Sequence, residues 1–136
     1  MKKFELKSLQ TDFPALKITS DIDAVNCIRQ FYGDDIEIFE SCFILLLNQA
    51  NITIGYAKIS QGGITGTVVD TRLIAKYAIE SLATGVILAH NHPSGNLKAS
   101  DADVNITQKI RAGLNIFDIT LLDHFIITKD NYNSVS

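Results

Sequence analysis

The stretch LAHNHPSGNLKASDAD, residues 88–103, decides how the rest of the chain is read. The apolar run 86–89 has the length and composition of a buried strand, and it leads straight into His90. Residues i and i+2 of a strand point the same way. His90 and His92 should therefore project to one face, about 6–7 Å apart at Cα. Two imidazoles so placed can reach a single ion at about 2.0–2.1 Å each. Pro93 ends the strand, Gly95 lets the chain turn, and a helix is expected from Ser100, with Asp103 in its first turn. Ser100 and Asp103 also have the spacing of a helix N-terminal capping box. The two readings are compatible: a cap can fix the helix while its carboxylate turns toward the strand end. Two imidazoles and one carboxylate leave the fourth tetrahedral position open, as a catalytic zinc requires.

Outward from this stretch, the hydrophobic period places the other elements. Two short strand pieces are expected at 4–6 and 16–19, separated by Pro14. A helix should begin at Ser20 and stop at Gly33, with Val25, Ile28 and Tyr32 as its apolar stripe. Strands are expected over 41–48 and 52–59, antiparallel across the turn at 49–51, and a third short strand over 65–69. Asp70 can cap a helix running to about Leu82, with Leu73, Ile74, Tyr77 and Ala78 facing inward and Gly85 ending it. A helix over 100–112, strands over 118–122 and 124–128, and an edge strand over 132–135 complete the chain. Helices and strands mix without a regular repeat. This predicts a mixed β-sheet flanked by helices, of α/β (α+β type) class, in one domain over 20–136 behind a short N-terminal extension, 1–19.

Composition narrows the function. The 136 residues are 46% hydrophobic and carry a formal net charge of −3, with 15 acidic against 12 basic residues. The basic residues are scattered, so nothing resembles the clustered positive charge that binds phosphate backbones. No apolar run reaches the length of a membrane span, and no signal peptide is apparent; the cytoplasm is the expected location. Cys27 and Cys42 have no CxxC pairing and read as buried, reduced thiols.

The pattern H-x-H-x7-S-x2-D, formed by His90, His92, Ser100 and Asp103, resembles the JAMM (MPN-plus, JAB) zinc-hydrolase motif. The string HNHPSG, preceded by ILA and followed later by LDH at 122–124, is similar to the RadC branch of that family, over about residues 21–136. The resemblance implies a JAB/MPN (cytidine deaminase-like) architecture and one zinc ion held by His90, His92 and Asp103. It implies that Glu40, in FESCFILLLN, is the general base that activates a zinc-bound water, and that Ser100 bonds that water or the tetrahedral intermediate. Asp123 and His124 would support the ligands from a neighbouring strand. Asn91 would face away from the histidines as a structural residue, and Ser94 and Asn96 would shape the loop. Arg72 matches an arginine near the start of that family's helix. The sequence departs from the family at Lys58, where RadC-like chains often carry an acidic residue. RadC proteins also usually carry a helix-hairpin-helix region, for which the residues before Ser20 are too few.

The leading expectation is a zinc-dependent hydrolase, metallopeptidase- or isopeptidase-like, acting on an unknown peptide or protein substrate. Two other functions compete: a DNA repair or recombination accessory protein of the RadC type, and a catalytically silent metal-binding interaction module. Nucleobase deaminases are excluded, because their H-x-E and P-C-x-x-C are absent. Barrel hydrolases are excluded by length, since they need roughly 250 residues.

Overall fold

The computed structural model describes residues 1–62 and 69–135. Its elements are α1 (Asp21–Arg29), a 3-10 turn (Asp34–Glu37), β1 (Ser41–Leu47), β2 (Thr53–Gln61), α2 (Thr71–Glu80), β3 (Gly85–Asn91), α3 (Asp101–Asn115), β4 (Thr120–Ile127) and β5 (Tyr132–Ser134). The strands form one mixed sheet in the order β2-β1-β3-β4-β5. Among the described strands only β3 and β4 run parallel, and α3 makes the crossover between them.

The two apolar runs, β1 and β3, lie beside each other near the middle of the sheet and are buried along their whole length. Strands covered on both faces read as continuous hydrophobic runs, which is how both appear in the sequence. The pleat sorts their side chains. Ile44, Leu46, Val86 and Leu88 pack under Ile74 and Ala78 of α2 and Ile110 and Leu114 of α3. Phe43, Leu45, Ile87 and Ala89 pack on the other face against Ala24, Val25 and Ile28 of α1. The result is a three-layer α/β/α sandwich.

Register in β4 contains one irregularity that matters later. Val86 pairs with Leu121, but Ile87 pairs with Asp123, so Leu122 is an extra residue in β4. A bulge of this kind shifts the alternation of side chains by one. Leu121 thus faces the α2/α3 side, and beyond the bulge His124 faces that side too, beside Leu88.

Several boundaries differ from expectation. Residues 4–6 are exposed and form no strand, and in the 16–19 piece only Lys17 forms a bridge, to Ile52. α1 stops at Arg29, where Gln30, Phe31 and Tyr32 donate to the carbonyls three residues back and the chain passes into the 3-10 turn; at its start the Asp23 carboxylate accepts from Thr19. Leu73 is 38% exposed, leaving Ile74 and Ala78 as the buried stripe of α2. Gly85 does not end α2. It starts β3, where an added Cβ would lie 3.0 Å from a Leu122 methyl, and Leu82 takes the left-handed conformation in the turn instead. The strands expected on either side of Asp123 are one strand. The strand expected over 65–69 falls, apart from Val69, outside the described residues. Both cysteines are free and buried, and among the described residues no helix is long and apolar enough to cross a membrane.

Leu88 is fully buried at the centre of the sheet, so Leu88→Ala should lower the unfolding free energy by about 3 kcal/mol. Leu73→Ala, on the outer side of α2, should change it by less than about 1 kcal/mol. Urea unfolding of the two variants checks the assignment of faces; equal losses would contradict it.

Candidate metal centre

Three separate parts of the chain meet where β3 ends. His90 is the penultimate residue of β3 and His92 follows the strand directly. Asp103 lies in the first turn of α3, and Glu40 immediately precedes β1. His90 Nε2 is 2.9 Å from His92 Nε2 and 3.3 Å from Asp103 Oδ1, and His92 Nε2 is 3.6 Å from Asp103 Oδ2. Glu40 Oε1 lies 3.8 Å from His90 Nε2, and ligand atoms of Glu40, His90 and His92 all fall within 4.8 Å of one another. Two nitrogen or oxygen ligands about 2.05 Å from one tetrahedral ion would be roughly 3.3 Å apart. The separations of 2.9, 3.3 and 3.6 Å bracket that value, so the donor set fits a single ion.

The far sides of both imidazoles are anchored. His92 Nδ1 lies 2.6 Å from the Asn96 carbonyl, which can only accept, so Nδ1 carries a proton and Nε2 is the nitrogen that would bind an ion. His90 Nδ1 is 2.7 Å from Nε2 of His124, a buried residue of β4. Burial pushes the His124 pKa down to about 3, His90 and His92 acting in the same direction and Asp103 against it. His124 is therefore neutral at physiological pH. Its Nδ1 lies 2.5 Å from the hydroxyl of Thr107 on α3, also buried.

Asp103 is held by its helix. Ser100 Oγ accepts from Asp103 N at 3.0 Å, and Asp103 Oδ2 accepts from Ser100 N at 2.9 Å, a complete capping box. Burial alone would raise the Asp103 carboxyl, but the His90 imidazole and the hydrogen bonds of Ser100 outweigh it and hold the group well below the usual carboxylate range. Its place in the first turn also sets a negative charge at the favourable end of the helix dipole.

Glu40 is positioned by Asn91, the residue between the two histidines. Asn91 points to the opposite face of β3 and is completely buried. Its Oδ1 accepts from Ser41 N at 2.7 Å, and its Nδ2 donates to the carbonyls of Ile36 at 2.6 Å and Phe39 at 2.8 Å. The backbone on both sides of Glu40 is thus bonded to one amide.

The model of the RadC-like JAB domain matches residues 18–136. The chain belongs to the RadC-like JAB domain family. Its relatives include the UPF0758 protein of Flavobacterium johnsoniae, 47% identical over 118 residues, which cover 87% of this chain and 51% of the relative. The UPF0758 protein of Clostridium beijerinckii is 35% identical over 136 residues, 98% of this chain and 57% of that protein. That of Porphyromonas gingivalis is 41% identical over 91 residues, 67% of this chain and 40% of that protein. The chain spans about half the length of the curated relatives it matches.

Within this RadC-like JAB domain the structure brings Glu40, His90, His92 and Asp103 together, with Ser100 beside them as the cap and His124 behind His90. Asp123 is a correction. Next to His124 in an extended strand, it must face the other way. Its carboxylate accepts from Ser134 Oγ at 2.6 Å and lies near Thr19 and Asp21 on the α1 side. Lys58 pairs with Phe43, lies over its ring at 5.8 Å and bonds Gln61, on the face opposite His90. The departure from the family at this position is therefore remote from the metal-ligand cluster. Arg72 is paired with Asp70 at the exposed start of α2. Sequence reading missed Thr107, which looks like any interior helix residue; its only signal is the i−4 spacing from Asp103.

Asn91→Ala would leave one buried N–H and two part-buried carbonyls without their partner, at about 1–3 kcal/mol for each fully buried group. We expect a loss of at least about 3 kcal/mol in urea unfolding. Asn91→Asp should be no better, since it turns a negative oxygen toward the carbonyls of Ile36 and Phe39. Variants within 1 kcal/mol of the wild type would show that the amide is not a strut.

Proposed function

We propose that the domain is a zinc-dependent hydrolase of the JAMM type, cleaving an amide bond in a peptide or protein substrate. The observation that supports this reading best is the convergence of His90 Nε2, His92 Nε2 and the Asp103 carboxylate at tetrahedral edge lengths, with Glu40 alongside. Membership of the JAB family supports it further.

His90, His92 and Asp103 would hold the ion. A zinc bound there supplies a Lewis acid and brings the pKa of a water molecule toward about 7. Glu40 is partly buried, and with His90, His92 and Asp103 as the three ligands its carboxylate would be left to act as a base. It takes a proton from the attacking water and returns it to the departing amine. Ser100 uses an oxygen lone pair to cap α3, and its single hydroxyl proton is left to donate to the substrate oxygen that gains charge. The cap and the strut fix both groups before substrate arrives, so little reorganisation is needed.

Metal analysis of the purified chain should find close to one zinc per molecule in the wild type and little in His92→Ala or Asp103→Ala. Unchanged metal in both variants would sink the site. Glu40→Gln should retain zinc and cleave a peptide or isopeptide substrate at least about 100-fold more slowly than the wild type. Equal rates would remove Glu40 from the mechanism.

A further inference from the structure

The end of the sheet away from the metal centre, where Leu47 pairs with Gly85, carries apolar side chains open to solvent. α2 and α3 precede the parallel pair β3 and β4, so both helices finish at this far end. The two connections lie side by side, with Thr120 N donating to the Thr84 carbonyl at 3.0 Å. Leu82, just after α2, is 83% exposed, and Ile116 and Phe117, just after α3, are exposed as well. Leu82 also has a φ of 59°, the left-handed conformation that usually falls to glycine or asparagine behind a helix. It bears that strain and gains little burial in its own chain. Exposed apolar groups gathered within a polar rim mark contact surfaces. Here the rim is acidic. Glu80 and Asp118 are exposed beside the patch, and the last turns of α2 and α3 hold no basic residue. The negative ends of both helix dipoles point the same way.

The same chain offers a segment of opposite character. Residues 1–17 are all exposed, and residues 1–11 set three lysines and one glutamate around Phe4, Leu6 and Leu9. Lys3 meets that glutamate, Glu5, at 3.1 Å. The segment does not lie on its own patch. It is pinned by the bridge from Lys17 to Ile52 and by Phe13 against the Tyr56 ring, 5.7 Å between centroids. Antiparallel to β2, it leads from the far end of the sheet toward the metal end.

We infer that the far end is a docking surface for a second copy of this chain, whose N-terminal segment seats Phe4, Leu6 and Leu9 on Leu82, Ile116 and Phe117 and sets Lys2 and Lys7 against Glu80 and Asp118. About nine residues separate Phe4 from the anchor at Phe13, a reach of roughly 30 Å when extended. Reciprocal exchange of the two segments closes a two-fold dimer in which the contact is made twice. The contact is independent of the zinc chemistry, since it lies at the other end of the sheet.

Sedimentation equilibrium of the full chain should show a dimer with a dissociation constant of about 1–100 µM, weakened by salt as the lysines are screened. Leu82→Asn suits the left-handed backbone, so it should resist urea at least as well as the wild type. It should nonetheless dimerise at least about tenfold more weakly. Phe4→Ser, in an exposed segment, should leave urea unfolding unchanged and weaken the dimer to a similar degree. Leu9→p-benzoylphenylalanine, a photo-crosslinker, can be irradiated in an equal mixture of isotope-labelled and unlabelled chains. It should join the segment of one copy to peptides around Leu82 and Phe117 of the other. A wild type that stays monomeric well above the expected range would overturn the inference. So would a dimer that either variant leaves at wild-type affinity, or crosslinks confined to single chains.

Discussion

The side-chain amide of Asn91 is completely enclosed, so its hydrogen-bonding capacity has to be met by protein groups. It bonds the backbone at Ile36, Phe39 and Ser41, which puts the turn before β1 against the end of β3. The entry to β1 is also held by the Tyr32 hydroxyl, which donates to the Ser41 carbonyl at 2.8 Å, and by Gly62 N, which donates to the Glu40 carbonyl at 2.9 Å. The alternation of a strand then gives the complementary result. If residue 91 faces α1, residues 90 and 92 face α3. The same three residues therefore provide two metal-ligand candidates on one side of the sheet and the fixture for a carboxylate from the other.

Much of this was legible in sequence, for identifiable reasons. His90, His92, Ser100 and Asp103 are close in the chain and lie in elements whose periods differ sharply, strand then helix. Their relative directions follow from local rules. Glu40 was found through family resemblance, because nothing local ties residue 40 to residue 90. The central strands were plain because burial on both faces leaves an unbroken apolar run, as in CFILLL.

The misses have a common cause in contacts between elements. In sequence Asp123 and His124 look like joint supports of one site, but neighbours in a strand diverge. Which of them faces α3 depends on the extra residue at Leu122, and a bulge leaves no mark in a hydrophobic pattern. Thr107 owes its place to the packing of α3 on β4. Gly85 has the look of a helix stop, while its small size serves the close approach of Leu122.

The candidate ligands come from β3 and from the start of α3, and the carboxylate beside them from the entry to β1. An unfolded chain has no such meeting point. Any ion the site takes up binds the native state alone, and its free energy adds to that of folding. An ion present at a thousand times its dissociation constant would contribute about 4 kcal/mol, comparable to a large buried side chain. Heat resistance would then rise and fall with the supply of metal.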